Sequence, residues 1–319
     1  MMKSYSAIGA LLLASLFLIT AIPVHATTPG YASSSHVLVL NTEGNDRGHA
    51  TAGAFPTSAA TGAGYSVDFM AAASVTGASS FSGHDTIVLW MYCAVGSDTT
   101  VQNALISFLQ TGGKIIIWDS DACNSEESLL ADYSWLSTVG ASFAVTTPGQ
   151  TGNTGGSLTI QENNNFLNGI TATDLTNLVT DTDAVGDLNA VTSNSAAWCG
   201  ILYGTNTIGA SGFGQAYTAP GALTGATGAM MLYTGLDTNY ITSGPYYYSG
   251  YGDVMVAMVL NQLAHGWGNS AYTGDLACSV PIPPTNVPQF GLPATAMAAM
   301  GLIAVLSLRA FTGRKPRFP

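Results

Sequence analysis

Short apolar runs recur through the first half of the chain and predict buried strands. They cover residues 36–40, 65–70, 86–91 and 114–118. Most of them are continuous stretches of Val, Ile, Leu and Trp, which is typical of parallel strands covered on both faces. The pattern therefore predicts a sheet whose strands run in parallel.

Two helical segments lie between these strands. Residues 50–63 are predicted to form one, although Gly53 and Pro56 weaken it. Residues 100–110 carry four apolar side chains at helical spacing, and two glycines follow directly before the fourth strand. A helix that ends at glycine and leads into a buried strand is one crossover of a parallel sheet. The predicted fold class is therefore doubly wound α/β.

The second half of the chain is less regular. Residues 146–228 are rich in Gly, Thr, Asn and Ser, with strand-like runs at 157–160 and 200–203. We expect these runs to lie over the sheet as β and loop insertions rather than to form a separate domain. Residues 229–237 predict a late strand, and residues 253–267 predict a closing helix.

The N-terminus carries an export signal. Lys3, an apolar run over residues 7–24 and a small residue at Ala26 predict a signal peptide over residues 1–26. An uncleaved N-terminal anchor is the alternative.

The C-terminal apolar segment, residues 292–308, holds no charge, and four cations follow it. A helix of this length covers most of a hydrocarbon core about 30 Å thick, and the basic end fits the positive-inside rule. These features predict a transmembrane helix over residues 290–311 and a basic cytoplasmic tail over 312–319, with a buried core helix as the alternative. A proline-rich stalk over 271–289 would join this anchor to an exported domain over 27–270.

Charge is strongly one-sided in the predicted exported domain. All eighteen acidic residues fall between Glu43 and Asp275, and the only cations there are Arg47 and Lys114, so two cations against eighteen carboxylates give a formal charge of −16. Such a surface repels phosphate backbones, which argues against a nucleic-acid partner. An acidic balance also suits high salt or divalent cations.

Four cysteines also lie in the exported part: Cys93, Cys123, Cys199 and Cys278. An even count in an oxidising compartment favours disulfides, and four cysteines allow three pairings. Cys93 follows the third strand and Cys123 the fourth, and these strands are expected to be neighbours. We therefore favour a Cys93–Cys123 bridge, which leaves Cys199 to pair with Cys278.

Cys123 has an alternative role as a catalytic nucleophile. His265 or His49 would then act as its base, with an acid nearby. The candidate acid or base groups lie in the same region, after the fourth strand: Asp119, Asp121 and Glu126. Open α/β folds bind ligands at this carboxyl edge of the sheet, so an active-site cleft would be expected there.

Two acidic clusters are candidate metal sites. The first contains Asp119 and Asp121, and the second contains Asp181, Asp183 and Asp187. Several carboxylates in one loop can hold calcium, which makes calcium a possible cofactor, and the sequence predicts no other. Neither cluster has the complete twelve-position calcium-loop pattern, and solvated loops or helix N-caps are the alternative.

A tyrosine patch is the candidate binding surface. It contains Tyr246, Tyr247 and Tyr248, close to glycines. Exposed tyrosines can stack on sugar rings or on a partner protein, because they supply contact area with little loss of entropy. Packing of the loop against the core is the alternative.

The region from residue 36 to about residue 125 resembles the class I glutamine amidotransferase-like superfamily. The likeness lies in a strand with a polar end, the run Asp85-Thr-Ile-Val-Leu, and a helix closed by Gly112-Gly-Lys-Ile-Ile-Ile. The resemblance implies a flavodoxin-like sheet. The family's enzymes carry a Gly-x-Cys-x-Gly elbow after the fourth strand, and no glycine flanks Cys123. The resemblance therefore implies a member of this superfamily without amidotransferase activity.

The C-terminal tail resembles the PEF-type sorting signals of archaeal surface proteins. A Pro/Phe/Gly motif at residues 287–293 precedes the apolar helix and the basic end, and Gln289 stands where the family usually has Glu. The resemblance implies cleavage by a sorting protease of the archaeosortase type and transfer to a lipid anchor.

Two functional classes follow from these features. In the first, the chain is a membrane-anchored cell-surface protein whose extracellular domain is non-catalytic and binds a glycan or a surface protein, or builds an envelope layer. In the second, it is a surface hydrolase that acts on a glycan or peptide at the carboxyl edge. The first is favoured because neither a nucleophile–base pair nor a complete metal motif can be identified.

Overall fold

The structure, a computed structural model, describes most of the predicted exported domain. The described residues are 35–41, 55–92, 98–119, 133–146, 154–182, 184–194, 197–226, 228–238, 251–265 and 278. Their strands are β1 (His36–Asn41), β2 (Ser66–Ala71), β3 (Thr86–Tyr92), β4 (Lys114–Asp119), β5 (Phe143–Val145), β6 (Ser157–Ile160), β7 (Val191–Asn194), β8 (Trp198–Thr205), β9 (Ser211–Thr218) and β10 (Met230–Thr234). Their α-helices are α1 (Thr57–Gly62), α2 (Thr99–Gln110), α3 (Ala172–Asp181) and α4 (Tyr251–Ala264).

Five strands form a parallel half of the sheet in the order β2-β1-β3-β4-β10. This order is that of flavodoxin-like folds, in which the chain reverses direction across the sheet between its first and third strands. β4 is buried along its whole length, as its continuous apolar run predicts. The predicted parallel strands and doubly wound α/β class are confirmed.

The remaining strands extend the same sheet as an antiparallel half. β9 pairs antiparallel with β10 and with β8, β8 pairs with β6, and β7 joins β9 to β5. The prediction that the middle of the chain lies over the sheet is therefore wrong. Its strands add to the open edge of β10 instead, where they satisfy backbone N–H and C=O groups that would otherwise have no partner.

Helices cover both faces of this sheet. Helices α1, α3 and α4 share one apolar cluster with Trp90, Trp118 and the other side chains on the same face. Helix α2 packs on the opposite face, together with a 3₁₀ helix at Ser134–Val139. The structure thus has the three-layer arrangement that a doubly wound fold requires.

Lys114 connects the start of β4 to the end of α4. Its side chain is fully buried, and Nζ donates hydrogen bonds to the carbonyl oxygens of Leu263 (3.2 Å) and His265 (2.7 Å). The last carbonyls of a helix lack intrahelical donors and carry partial negative charge, so a cation is favourable there. Burial nevertheless lowers the pKa of Lys114 from 10.5 to about 7, against the opposing effect of Asp85.

Within the described ranges, no helix combines the length and the apolar character needed to cross a bilayer. The predicted signal peptide at 1–26, the stalk at 271–289 (apart from Cys278), the membrane helix at 290–311 and the tail at 312–319 all lie outside those ranges. These four assignments stay predictions.

Replacement of Lys114 by Met is expected to change how stability depends on pH. Below about pH 7 the ammonium is charged in both folded and unfolded chains, and above 10.5 it is neutral in both. Between these values the unfolded chain binds more protons, so the free energy of unfolding rises with pH, by up to about 1.4 kcal/mol per pH unit. Urea unfolding of wild-type and Lys114→Met chains from pH 7 to 9 measures this slope, which the variant should lose. Equal pH slopes of the unfolding free energy in the two proteins would contradict the lowered pKa of Lys114.

Candidate functional site

Asp119 ends β4 at the carboxyl edge of the sheet. It is only 2% exposed, and its Oδ2 accepts hydrogen bonds from the hydroxyls of Tyr133 (2.5 Å) and Tyr233 (3.1 Å). Tyr133 directly precedes the 3₁₀ helix, and Tyr233 lies on the neighbouring strand β10. The carboxylate thus connects three segments that are distant in sequence.

The hydroxyl of Tyr233 extends this network. It lies 2.7 Å from the carbonyl oxygen of Asn189, so its single proton is shared between that oxygen and Asp119. Burial, and then the charge of Asp119, raise the pKa of Tyr233 well above 10. The phenol therefore stays protonated at physiological pH and acts as a hydrogen-bond donor.

A buried polar junction lies beside this network. The backbone N–H of Asn189 donates to the Gly235 carbonyl (2.9 Å), and that of Asp237 donates to the Ala184 carbonyl (3.1 Å). A Cβ on residue 235 would lie 1.8 Å from the Asn189 oxygen, so only glycine permits this close approach. Residues 184–190 are thereby held against the segment that follows β10.

Several polar atoms in and near this junction have no hydrogen-bond partner in the described part of the chain. They are the Oδ1 of Asn189, the hydroxyl of Thr238 and both side-chain amide atoms of Gln215, which pairs with Thr234 across β9 and β10. All three side chains are about 1% exposed or less. Unpaired buried polar atoms are typical of internal water sites and ligand sites.

A second polar row crosses the opposite face of the sheet. The Trp118 indole N–H donates to Oε1 of Gln262 (2.8 Å), and Nε2 of Gln262 donates to the Thr234 hydroxyl (2.6 Å). Gln262 lies on α4, so these bonds fix that helix above the ends of β4 and β10. All the groups in this row are buried.

The residues predicted for catalysis are only partly described. Asp119 is buried and bonded to the two tyrosines, whereas Asp121, Cys123, Glu126 and His49 lie outside the described residues. The backbone of His265 contacts Lys114 at the amino end of β4. Asp119 ends the same strand, about 16 Å away at about 3.3 Å per residue. The structure thus places His265 at the edge opposite Asp119.

The candidate calcium ligands are not brought together among the described residues, which contain no group of three or more His, Cys, Asp or Glu able to hold a metal ion. Asp181 is exposed at the end of α3, and Asp187 is buried in the junction. Asp121 and Asp183 lie outside the described ranges, as do the candidate binding residues Tyr246, Tyr247 and Tyr248.

The disulfide prediction is confirmed for one pair. Cys199 on β8 is bonded to Cys278, with a Cα–Cα distance of 5.1 Å. The backbone N–H of Cys278 donates to the Tyr217 hydroxyl (2.8 Å), which in turn donates to Oε1 of the buried Glu162 (2.6 Å). Because Cys199 and Cys278 are paired, a second bridge can form only between Cys93 and Cys123, which is the pairing that the sequence favours. Both of those residues lie outside the described ranges.

The residues that build the network were not found from the sequence. Tyr133, Tyr233 and Asn189 follow no spacing that relates them to Asp119, because they meet only through the strand order. Asp119 alone carried a signal, as an acid that directly follows a buried strand. The sequence therefore indicated only one of the four residues of the network, Asp119.

Comparisons with known proteins give only weak likenesses. No family model and no curated protein matches the chain. A ThuA-like protein from Bacteroides uniformis has a TM-score of 0.46 at 8% identity over 72% of this chain and 89% of its own. A GMP synthase component from Thermoplasma acidophilum has a TM-score of 0.40 at 8% identity over 72% and 94%. A ThuA-like protein from Parabacteroides merdae has 0.40 at 11% over 75% and 92%.

These scores are all below 0.5, so the α/β description rests on the strand pairing of this chain itself. The structure shows a mixed sheet with a parallel, flavodoxin-like half and helices on both faces. Membership in the amidotransferase-like superfamily stays a proposal.

Replacement of Tyr233 by Phe is expected to destabilise the chain. The change removes a donor from the buried Asp119 and from the Asn189 carbonyl, at a cost of about 1–3 kcal/mol in the free energy of unfolding. Chemical denaturation of the full chain measures this loss. The matched control is Tyr203→Phe, which removes a hydroxyl from a ring that is 38% exposed and should change stability by less than about 0.5 kcal/mol. Equal effects of the two changes would contradict a structural role for the network.

Proposed function

We propose that this chain is an exported, membrane-anchored cell-surface protein whose α/β domain serves binding or envelope structure rather than catalysis. The observation that carries the proposal is the Cys199–Cys278 bridge. Disulfides persist in oxidising compartments and are rare in the cytosol. An exported address also agrees with the signal expected at residues 1–26 and with the anchor expected at 290–311.

The state of Asp119 favours binding over hydrolysis. A general acid or base must reach the substrate, directly or through one water. Asp119 is almost fully buried, and its Oδ2 already accepts hydrogen bonds from two tyrosines. We therefore assign this carboxylate to the packing of β4, β10 and the 3₁₀ helix. No observation on the described residues favours the hydrolase alternative.

Two finer assignments belong to the same proposal. The parallel half has the strand order expected of a class I amidotransferase-like domain without the amidotransferase nucleophile. The tail at residues 287–319 is proposed to act as an archaeal sorting signal that a membrane protease cleaves, with transfer to a lipid. A glycan or another surface protein is the proposed partner.

Localisation of the full chain tests the proposal directly. Cells that make it are treated with an external protease, and membrane and soluble fractions are analysed by mass spectrometry. We expect the domain to be accessible from outside, the N-terminus of the mature chain to be Thr27, and the protein to sediment with membranes. Recovery of the intact chain, with its signal peptide and reduced cysteines, from the cytosol would overturn the proposal.

Loss of the Cys199–Cys278 bridge is expected to destabilise the domain substantially. The bridge links residues 79 positions apart, and loop-closure entropy at this length corresponds to about 4.5 kcal/mol. Denaturant unfolding of a Cys199→Ser/Cys278→Ser double variant measures the loss. The control is the wild-type chain treated with alkylating reagent without reductant, in which Cys199 and Cys278 should not be labelled. Labelling of either residue in the native chain would show that the bridge is not formed.

A further inference from the structure

An uncharged, hydroxyl-rich surface lies at the antiparallel end of the sheet, on β6, β8 and β9 and the residue after β6. We call it the hydroxyl face, and it consists of Ser157, Thr159, Gln161, Tyr203, Thr205 and Ser211. The first four are exposed, and the last two are partly exposed. Strand β6 forms its outer edge, because among the described strands it pairs with β8 alone.

The strand register arranges these side chains in rows. Ser157 lies opposite Thr205, which lies opposite Ser211, and Thr159 lies opposite Tyr203 in the next row on the same face. Neighbouring strands are about 4.8 Å apart, and residues two apart on one strand are about 6.7 Å apart. The polar side chains therefore form a grid on two neighbouring rows, and Tyr203 stands on its middle strand, between Thr159 and Phe213.

Hydrogen bonds fix the polar groups of this grid. The hydroxyls of Thr205 and Ser211 are 2.7 Å apart, and the Gln161 amide donates to the Thr159 hydroxyl (3.1 Å). The Thr159 hydroxyl donates in turn to the Tyr203 carbonyl (3.2 Å). A serine or threonine hydroxyl has one proton and two lone pairs, so these groups can also bond a ligand.

Tyr203 packs against its cross-strand neighbour on β9, Phe213. Its ring contacts that of Phe213 edge-on, with centroids 5.3 Å apart and planes at 84°. Phe213 occupies the space above Gly200, where a Cβ would lie only 2.0 Å from the phenyl ring. The absence of a side chain at position 200 thus lets Phe213 lie close to the sheet, and Phe213 packs against Tyr203. A ring held in this way loses little entropy when a ligand stacks on it.

The charge of the face distinguishes between classes of partner. None of its six residues is charged, although the whole chain has a formal charge of −11. A stable protein interface needs an apolar core of several large side chains, whereas Tyr203 is the only aromatic residue of this surface. A sugar chain matches it better, because sugar rings offer C–H faces for an aromatic ring and hydroxyls for a polar grid.

We propose that the hydroxyl face binds a neutral polysaccharide. Tyr203 stacks on a sugar ring, and the hydroxyls of Ser157, Thr159 and Thr205 with the Gln161 amide hydrogen-bond the sugar hydroxyls on either side. This inference rests on the proposed function, since it names the ligand class and the surface of an exported binding domain.

Affinity electrophoresis of the full chain in mild detergent tests the proposal. The gels contain starch, β-1,3-glucan, xylan or galactomannan as neutral probes, and alginate as an anionic probe of similar size. We expect at least one neutral polysaccharide to retard the chain and alginate to leave its mobility unchanged. The Tyr203→Ala variant should need at least tenfold more polysaccharide for the same retardation, and Tyr203→Trp should retain binding.

The matched control is Phe69→Ala, which removes another exposed aromatic ring (59% exposed) from the edge strand β2 at the far end of the sheet. It should bind as the wild-type chain does. Circular dichroism melting of each variant separates loss of binding from loss of folding, and Tyr203→Trp keeps the test valid if the alanine variant unfolds.

Three results would overturn the inference: no retardation by any neutral probe, retardation by alginate alone, or equal retardation of wild-type and Tyr203→Ala chains. The localisation experiment is independent of these outcomes. A chain found on the cell surface that binds no polysaccharide would refute the ligand assignment and leave the proposed function standing. A cytosolic chain would refute the proposed function, whatever the gels show.

Discussion

The pairing of β10 on both sides is the constraint on which the rest of the structure depends. This five-residue strand runs parallel to β4 and antiparallel to β9, so it is where the flavodoxin-like half meets the antiparallel half. All its residues are buried. Its side chains also serve both faces, because Tyr233 reaches Asp119 on one and Thr234 reaches Gln262 on the other. Without β10, neither the carboxyl-edge network nor the position of α4 would be defined.

The end of β4 at the carboxyl edge shows that an acid at this position can serve either in ligand binding and catalysis or in packing. In open α/β folds an acid at the end of a parallel strand is placed where ligands bind. Here the 3₁₀ helix brings Tyr133 over Asp119, and the antiparallel half brings the Asn189 carbonyl to Tyr233. The acid then completes a buried hydrogen-bond network that links β4, β10 and the segment before the 3₁₀ helix. Among the described residues, the exposed polar groups that we propose to bind a ligand lie on the hydroxyl face.

The sequence predicted the parallel half well because most of its strands are continuous apolar runs. Such runs are typical of strands that are buried on both faces of a parallel sheet. It failed for β9, Ser211–Thr218, which is almost entirely buried yet rich in Gly and polar residues. That strand is buried by its pairing with β8 and β10, which no local pattern reveals. Helix α3 does carry a local signal, the capping box formed by Thr171 and Asp174. The network around Asp119 and the rows of the hydroxyl face depend on strand order and register, and so could not be predicted.

The covalent link from Cys278 to β8 would have a mechanical consequence if the domain is tethered by its C-terminus, as proposed. Tension arriving from the tether passes through the two sulfur atoms into β8 and does not run back through the intervening chain. Residues 200–277, which include β9, β10 and α4, form a closed loop that bears no load. At up to about 3.6 Å per residue, the fully extended length of this loop is roughly 28 nm, and the disulfide prevents that length from being pulled out. If the domain is tethered as proposed, the covalent path of a pull from the C-terminal side therefore bypasses α4 and the strand that joins the two halves of the sheet.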